Sequence, residues 1–418
     1  MAQLSDDCFA FGGELLNIDA ALALIESRLA PVVEAEMAPL ATCCGRILAR
    51  DLVADMDLPP HANSAVDGYA VAHADLSVDG DTVLPVGGRT AAGHPLGRAL
   101  ARGEAIRIFT GAPMPDRADT VMMQEDCVLE AGSVRMKPGL KKGANRRFAG
   151  EDVAKGSVAL PAGRRLGPAE LGLAGALGHA ELSVFRPLRA ALLSTGDEVR
   201  EPGAALPPGA IYDANRVMLL ALLRRLGCVV SDLGIHPDRE AALADTLGEA
   251  SRSHDLIVTS GGVSTGEEDH VRAAIERLGR LHFWRLAIKP GRPVALGQVG
   301  GVPLIGLPGN PVAAALTFAI LARPLILRLA GAVERAPQTF PVRAGFSYKK
   351  RAGRREYVRT TLGRDEAGGL TAHKYPKDGA GILSSVVNSD GFAIIAEPVT
   401  NLAPGTMVEF LPFTGVIG

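Results

Sequence analysis

Residues 189–198, RAALLSTGDE, set an apolar run against an abrupt loop of small, hydroxylic and acidic residues. The same design recurs in CVVSDLGIHPD at 228–238, DLIVTSGGVSTGEED at 255–269 and VPLIGLPGNP at 302–311. Short apolar runs bounded by turn formers predict buried strands. Between them the spacing predicts helices over 215–226, 238–252, 269–278 and 311–329, with Gly227 and Gly279 closing the first and third. A further β-rich pair is expected at 281–288 and 293–299. This alternation implies a doubly wound, mostly parallel sheet with helices on both faces. In such a sheet the loops that follow the strands share the carboxyl edge, where ligands bind. Loops 194–198, 234–238, 260–269 and 307–311 are therefore the expected site.

Outward from this core, 418 residues leave room for about three folding units in all. Before residue 187, helical spacing of Ile18, Leu22, Ile25 and Leu29 and a second helix at 166–177 bracket a Gly- and Pro-rich stretch. That stretch carries short β-like runs at 105–109, 120–124 and 133–136. The expected organisation is an N-terminal part made of 1–57 and 149–186, whose two helices pack together, and a small β domain inserted at 58–148. The α/β domain follows at 187–335 and a C-terminal β domain at 336–418, with runs at 356–362 and 392–396.

Lys and Arg number 44 against 46 Asp and Glu, a net charge of −2, which argues against a general nucleic-acid binder. The N-terminus begins with acids and does not read as a secretory signal, so a cytoplasmic chain is expected. The most apolar stretch, 311–322, stops at Arg323, short of the roughly 18 residues a membrane span requires. Five cysteines without CxxC spacing are expected to be free thiols. GxGxxG, GxxxxGK[ST] and HExxH are all absent, which disfavours standard NAD enzymes, P-loop NTPases and zinc hydrolases.

The loop at 260–269 joins flexible glycines to three successive acids, Glu267, Glu268 and Asp269. One reading is helix capping by Asp269. The other is a phosphate whose charge is tolerated beside carboxylates because a hard cation such as Mg²⁺ bridges them, with Glu198 as a second oxygen ligand. Asn310 and Pro311 suit a helix start, and the amides there can also take an anion. Lys289 and Arg292 flank a Pro-Gly turn, as solvated cations or as an oxyanion site. Asp67-Gly68 reads as a hairpin turn, and Thr110-Gly111-Ala112-Pro113 as a turn. Between 343 and 359 seven basic residues face only Glu356, a local patch for some anion.

NSAVDGYA (63–70), TGAP (110–113), GED (150–152), STGDE (194–198), IYDAN (211–215), SGGVSTGEED (260–269), AIKPGRP (287–293) and LPGNP (307–311) occur in that order. The set resembles the molybdopterin molybdenumtransferases, the MoeA family that includes the gephyrin E domain, over nearly the whole chain. The resemblance implies an elongated homodimer. Its fold would be multidomain: a MogA-like α/β domain, an inserted small β domain, an elongated N-terminal α+β part and a C-terminal β-barrel-like domain. It implies insertion of molybdate into adenylylated molybdopterin with Mg²⁺-dependent release of AMP. The implied partners are a MogA-like molybdopterin adenylyltransferase and downstream molybdoenzyme maturation factors, with no nucleic acid and no membrane. Carried over by motif, Asp67, Asp152, Asp238 and Asp269 are catalytic, and Glu198 and Asp269 are Mg²⁺ ligands. Thr110, Thr195, Gly196, Gly261, Gly262, Ser264, Arg285, Lys289, Pro308, Asn310 and Arg359 contact substrate, Lys289 and Arg359 as cations for molybdate or pterin phosphate. The cleft would be shared between one subunit's α/β domain and the other's inserted half. Three positions depart from the family pattern: Ala62 replaces an acid, Arg285 a common Lys, and Ala380 a Ser. A scaffold or peptide-binding protein on this fold is one alternative and a nucleotide-dependent phosphotransferase another.

Overall fold

The computed structural model describes residues 15–261, 270–333 and 337–417. The chain forms two compact units: Met1–Arg50 with Ala162–Gly167 and Leu182–Gly418, and Asp51–Pro161 with Pro168–Glu181.

The larger unit is built on a six-stranded sheet. Its spatial order is Val229–His236, Arg189–Thr195, Leu256–Ser260, Val302–Leu307, Pro293–Val299 and Gly279–Arg285. The first four are parallel, and Pro293–Val299 is antiparallel to both its neighbours. Because Gly279–Arg285 is thereby turned back into the common direction, Arg285 ends at the same edge as Thr195, Ser260 and Leu307. The parallel strands are buried on both faces, which explains their unbroken apolar runs. Alternate residues feed two cores. Leu192, Val258 and Ile305 face the helices Ala214–Arg225 and Pro311–Leu329; Leu193, Ile257 and Leu304 face Glu240–Ser253 and His270–Leu278. All six strands and four helices fall within a few residues of their predicted positions. Val229–His236 runs further than expected, through a register shift opposite Leu192 and Ser194, so residues 234–236 belong to the strand and the loop begins at Pro237.

The helix Pro311–Leu329 corrects one expectation. It runs over the predicted range, but at 19 residues with mean hydropathy 1.8 it is long and apolar enough to cross a membrane, so the apolar stretch does not stop at Arg323. Yet 89% of its apolar window is buried, as in a core helix. Residues Phe318–Ala322 widen into a π turn directly before Pro324, whose missing N–H cannot serve the ordinary i−4 carbonyl. The N-terminal helix Ile18–Arg28, capped by Asn17, which accepts from the Ala20 amide at 2.7 Å, packs against Arg323–Leu329. That contact covers its apolar face.

The C-terminal part closes on itself. Arg355–Arg364, Leu370–Lys374, Phe340–Ala344, Met407–Pro412 and Gly391–Ile395 form a ring of five strands, since the last also pairs with the first. Closure removes the exposed strand edges. Val342, Val358, Ala372, Ala393 and Phe410 fill the interior. The short strand Ile288–Lys289 adds to Arg355–Arg364, placing Lys289 opposite Glu356.

The smaller unit is a six-stranded sheet in the order Thr120–Met123, Gly68–Val71, Ala105–Ile108, Thr82–Thr90, Ser133–Met136 and Cys127–Glu130. One face carries Tyr69, Ala105 and Met122, the other Ala70, Ile106, Ile108 and Val121. Asp67-Gly68 is not a hairpin turn: Gly68 opens a central strand, and a Cβ there would lie 1.9 Å from the Met122 carbonyl oxygen.

At the amino edge of the larger sheet, the fully buried Asp255 carboxylate takes hydrogen bonds from Arg186 at 2.6 and 2.9 Å and from Arg189 at 2.9, 3.1 and 3.2 Å. Burial alone would push this carboxyl up, but the arginine bonds outweigh it and hold it at about 2. A depressed folded pKa contributes stability above the unfolded value, lost as pH falls through the folded one. Asp255→Asn should therefore cost about 2 kcal/mol at neutral pH, a deficit that shrinks between about pH 4 and pH 2. Urea unfolding followed by the fluorescence of the one tryptophan, buried Trp284, measures both. A deficit that does not change with pH would contradict this assignment.

Candidate functional site

The carboxyl edge of the larger sheet gathers the strand ends into one surface. Thr195 and Ser260 are buried there, and the Oγ atoms of Ser194 and Thr195 have no hydrogen-bond partner among the described residues. Gly261 follows Ser260 at φ +82°, and its amide donates to the Leu307 carbonyl at 3.3 Å. A Cβ on Gly261 would stand 2.8 Å from the Thr195 carbonyl oxygen, so three strand ends close together only because this position has no side chain. Glu198 is exposed, and its carboxylate lies back over Gly196, where a Cβ would be 2.7 Å from Oε2. It has no ion-pair partner among the described residues. Asp197 accepts the Asp238 amide at 3.3 Å, linking the first two loops.

Asn215, from IYDAN, ties the remaining loops. Its Nδ2 donates to Ser260 Oγ at 3.1 Å and to the Gly309 carbonyl at 2.8 Å. The neighbouring Asp213 caps the same helix by accepting the Arg216 amide at 2.9 Å, and Arg216 is itself held by Asp213, Asp232 and Glu201. Pro308 is buried, while Gly309 and Asn310 are exposed. Asn310 occupies the cap position but makes no side-chain capping bond, contrary to its expected structural use. The Val312 amide donates instead to the Ala380 carbonyl at 2.9 Å, joining this loop to the C-terminal barrel.

A basic group lies beside that junction. Lys289 Nζ is 3.2 Å from Glu356 Oε2 and 3.5 Å from the Tyr348 hydroxyl; Lys374 lies over the Tyr348 ring and pairs with Asp378 at 2.8 Å. Burial pushes the Glu356 carboxyl up, but hydrogen bonds from Tyr348, Arg354 and Lys289 outweigh it and keep it low. Burial and the Glu356 carboxylate together raise the Tyr348 hydroxyl far above its ordinary range. Arg359 is only 8% exposed; Nε donates to Ser385 Oγ at 3.0 Å and Nη2 to the Gly379 carbonyl at 3.2 Å. No carboxylate pairs with it among the described residues, and burial lowers its pKa.

The run 343–359 is thus not one anion patch. Arg343 pairs with Asp365, Arg355 with Asp19 and Glu397, and Lys350 is spent on backbone carbonyls, because the run is divided between the strand Phe340–Ala344, the strand Arg355–Arg364 and the segment joining them, each with its own neighbours. Arg285 is exposed at the same edge as the other strand ends. Gly262, Ser264 and Asp269 lie outside the described residues. Sequence reasoning passed over Asn215, Tyr348, Glu356 and Ser385 as site-forming residues; only Asn215, inside a quoted motif, carried any signal.

In the smaller unit, Asp67 Oδ1 accepts both the amide and the hydroxyl of Thr110 at 2.8 Å. The backbone bond from Thr110, then its hydroxyl, lowers the Asp67 pKa. Asp152 is exposed, and its amide donates to the Leu58 carbonyl at 3.0 Å. Three or more His, Cys, Asp or Glu side chains placed to hold a metal do not occur together among the described residues.

Three family models match the chain: the MoeA N-terminal region (domain I and II) at residues 16–178, a probable molybdopterin binding domain at 191–328, and the MoeA C-terminal region (domain IV) at 341–413. The chain is 38% identical over 406 residues to a molybdopterin molybdenumtransferase of Haemophilus influenzae, covering 97% of this chain and 100% of that one. It is 35% identical to that of Synechococcus elongatus, covering 94% and 99%. Among solved structures, a molybdopterin biosynthesis MoeA protein from Pyrococcus horikoshii OT3 superposes with a TM-score of 0.79 at 27% identity, covering 96% of this chain and 100% of that one. A second MoeA structure from the same organism gives 0.74 at 31%, covering 96% and 99%.

The two glycines of the edge make opposite forecasts. Gly261→Ala meets both the positive φ and the Thr195 carbonyl and should destabilise by more than ~1 kcal/mol, whereas Gly309→Ala, with nothing within 4 Å, should stay within about 0.5 kcal/mol of the parent. Urea midpoints of the two variants check this. Equal losses would contradict the close approach of the strand ends.

Proposed function

The chain belongs to the molybdopterin molybdenumtransferase (MoeA) family, and we propose that it performs that family's step in molybdenum cofactor biosynthesis. In this reading adenylylated molybdopterin is hydrolysed, molybdate enters its dithiolene, and AMP and the molybdenum cofactor leave. The observation that carries the reading is the buried guanidinium of Arg359, with no direct carboxylate partner among the described residues, near the Lys289, Tyr348 and Glu356 group. Ser385 and Gly379 fix its plane with two of its five N–H groups, leaving donors for an oxyanion. Low-dielectric surroundings strengthen such charge-assisted bonds. Lys289 adds a second cation, while Glu356, already bonded to three donors, does not compete for it fully. Ala380 offers no hydroxyl here, and Arg359 with Lys289 takes the larger share of molybdate recognition.

Thr195, Gly196, Gly261, Pro308 and Asn310 bind the pterin and nucleotide parts through backbone groups and hydroxyls, supported by the unpartnered Ser194 and Thr195 oxygens. Glu198, an exposed carboxylate lying over Gly196, fits a hard cation; together with Asp269 it would hold Mg²⁺, which would supply Lewis-acid polarisation of the phosphoryl group. Asp238 orients the loop beside it. Asp67, Thr110 and Asp152 act from the second subunit of a homodimer. A MogA-like adenylyltransferase makes the substrate in the cytoplasm, and maturation factors of molybdoenzymes accept the product.

Purified protein given adenylylated molybdopterin, molybdate and Mg²⁺ should release AMP; no release would sink the reading. Glu198→Gln should lower that rate by at least about 100-fold, because a neutral amide holds a hard cation poorly and the lost stabilisation is several kcal/mol. Arg359→Lys keeps the charge but loses the fork, and should raise half-saturating molybdate about tenfold with AMP binding unchanged. A normal molybdate response would remove Arg359 from the oxyanion site. Sedimentation should show a species of twice 43.5 kDa, and a purely 43.5 kDa population would exclude the shared cleft.

A further inference from the structure

We propose that Arg89, Arg107 and Phe109 form an unassigned anion subsite for a phosphorylated planar heterocycle on the smaller unit. The proposal rests on the reading that Asp67 and Thr110 belong to the substrate site. Arg107 is on the strand Ala105–Ile108, on the face that carries buried Ala105 and Tyr69, and it lies directly opposite Arg89 in the parallel register. Like charges facing each other across strands are destabilising, and the usual remedy is an acid nearby. Here neither guanidinium has an ion-pair partner among the described residues. Asp67 is one acid that Arg107 feels, and its Oδ1 is already occupied by the Thr110 amide and hydroxyl. Glu125 and Asp126 also lie close by, with Glu125 taking a hydrogen bond from Gln124 at 3.2 Å, but neither pairs with a guanidinium among the described residues, so the two facing cations keep donors for an anion.

The cations are built in rather than waving free. Arg107 donates to the Gly68 carbonyl at 3.1 Å and to Gln124 Oε1, and lies 5.2 Å from the Tyr69 ring centroid. Both guanidinium groups stand 4.7 Å from the centroid of Phe109, the residue before Thr110. A guanidinium stacked on a ring keeps its plane, and its in-plane donors match two phosphate oxygens while its face accepts a flat ring. A phosphorylated heterocycle uses both properties and relieves the repulsion between the arginines. The nucleotide half and the pterin half of the substrate each have this chemistry.

The test is equilibrium binding of AMP, of a pterin alcohol phosphate and of adenosine to the full-length parent, Arg89→Gln and Arg107→Gln. Arg89, exposed and held among the described residues by the ring alone, is the decisive position. Its variant should bind one phosphorylated probe at least about tenfold more weakly, a loss of one charge-assisted pair, with adenosine within twofold of the parent. The probe that loses affinity identifies the half of the substrate seated there. The melting temperature of ligand-free Arg89→Gln should equal or exceed the parent's, since one of two facing charges is gone. The subsite is overturned if the parent binds neither phosphorylated probe, if both bind Arg89→Gln within twofold of the parent, or if adenosine loses as much as they do. AMP release by the parent, measured separately, reports on the proposed reaction and is independent of these binding results.

Discussion

Parallel pairing is the constraint from which the site follows. A parallel strand cannot be joined to its neighbour by a tight turn, so the chain must cross back through a helix each time. Every loop that leaves the sheet in the common direction therefore emerges at one edge. The sheet brings Thr195, Ser260, Leu307 and Arg285 to that edge, and the single antiparallel strand Pro293–Val299 is what returns Gly279–Arg285 to the same direction. The cluster is then tightened by a few specific contacts. Gly261 permits the close approach, Asn215 joins Ser260 to Gly309, and the Ala380 carbonyl meets the amide of Val312.

Buried charge is handled in two ways. Asp255 is matched by two arginines, Arg216 by three carboxylates, and Glu356 by Arg354, Lys289 and the Tyr348 hydroxyl. Each is a closed arrangement in which removing one partner would leave a costly buried ion. Arg359 is different: its partners are a hydroxyl and a carbonyl, which orient the guanidinium without neutralising it. Asp378 acts on it only at longer range, without a hydrogen bond among the described residues, so the guanidinium keeps donors that an anion can use.

Much of this was legible in the sequence. Apolar runs next to loops of Ser, Thr, Gly and acid gave every strand of the parallel core, because a strand buried on both faces has no polar alternation to confuse it. The motif order identified the family. What the sequence concealed depends on partners far along the chain. That Arg343 and Arg355 are neutralised and Arg359 is not depends on Asp365, Asp19 and Glu397, which no local pattern links to them. Arg323 looked like the end of the apolar stretch, although the helix itself was expected to run on to 329; a buried arginine and a π turn before Pro324 are set by packing. Gly68 read as a turn because Asp-Gly usually marks one; its real constraint is the Met122 carbonyl on the adjacent strand.

The central claim is that the carboxyl edge, with Arg359 and Lys289 beside it, holds molybdate. Crystals of the protein equilibrated with molybdate and measured at the molybdenum absorption edge test it most directly. The expected result is one anomalous peak within hydrogen-bonding reach of the Arg359 guanidinium and Lys289 Nζ, about 3 Å from oxygen to nitrogen. A peak at the amino edge beside Arg186 and Arg189, with none near Arg359, would contradict the account.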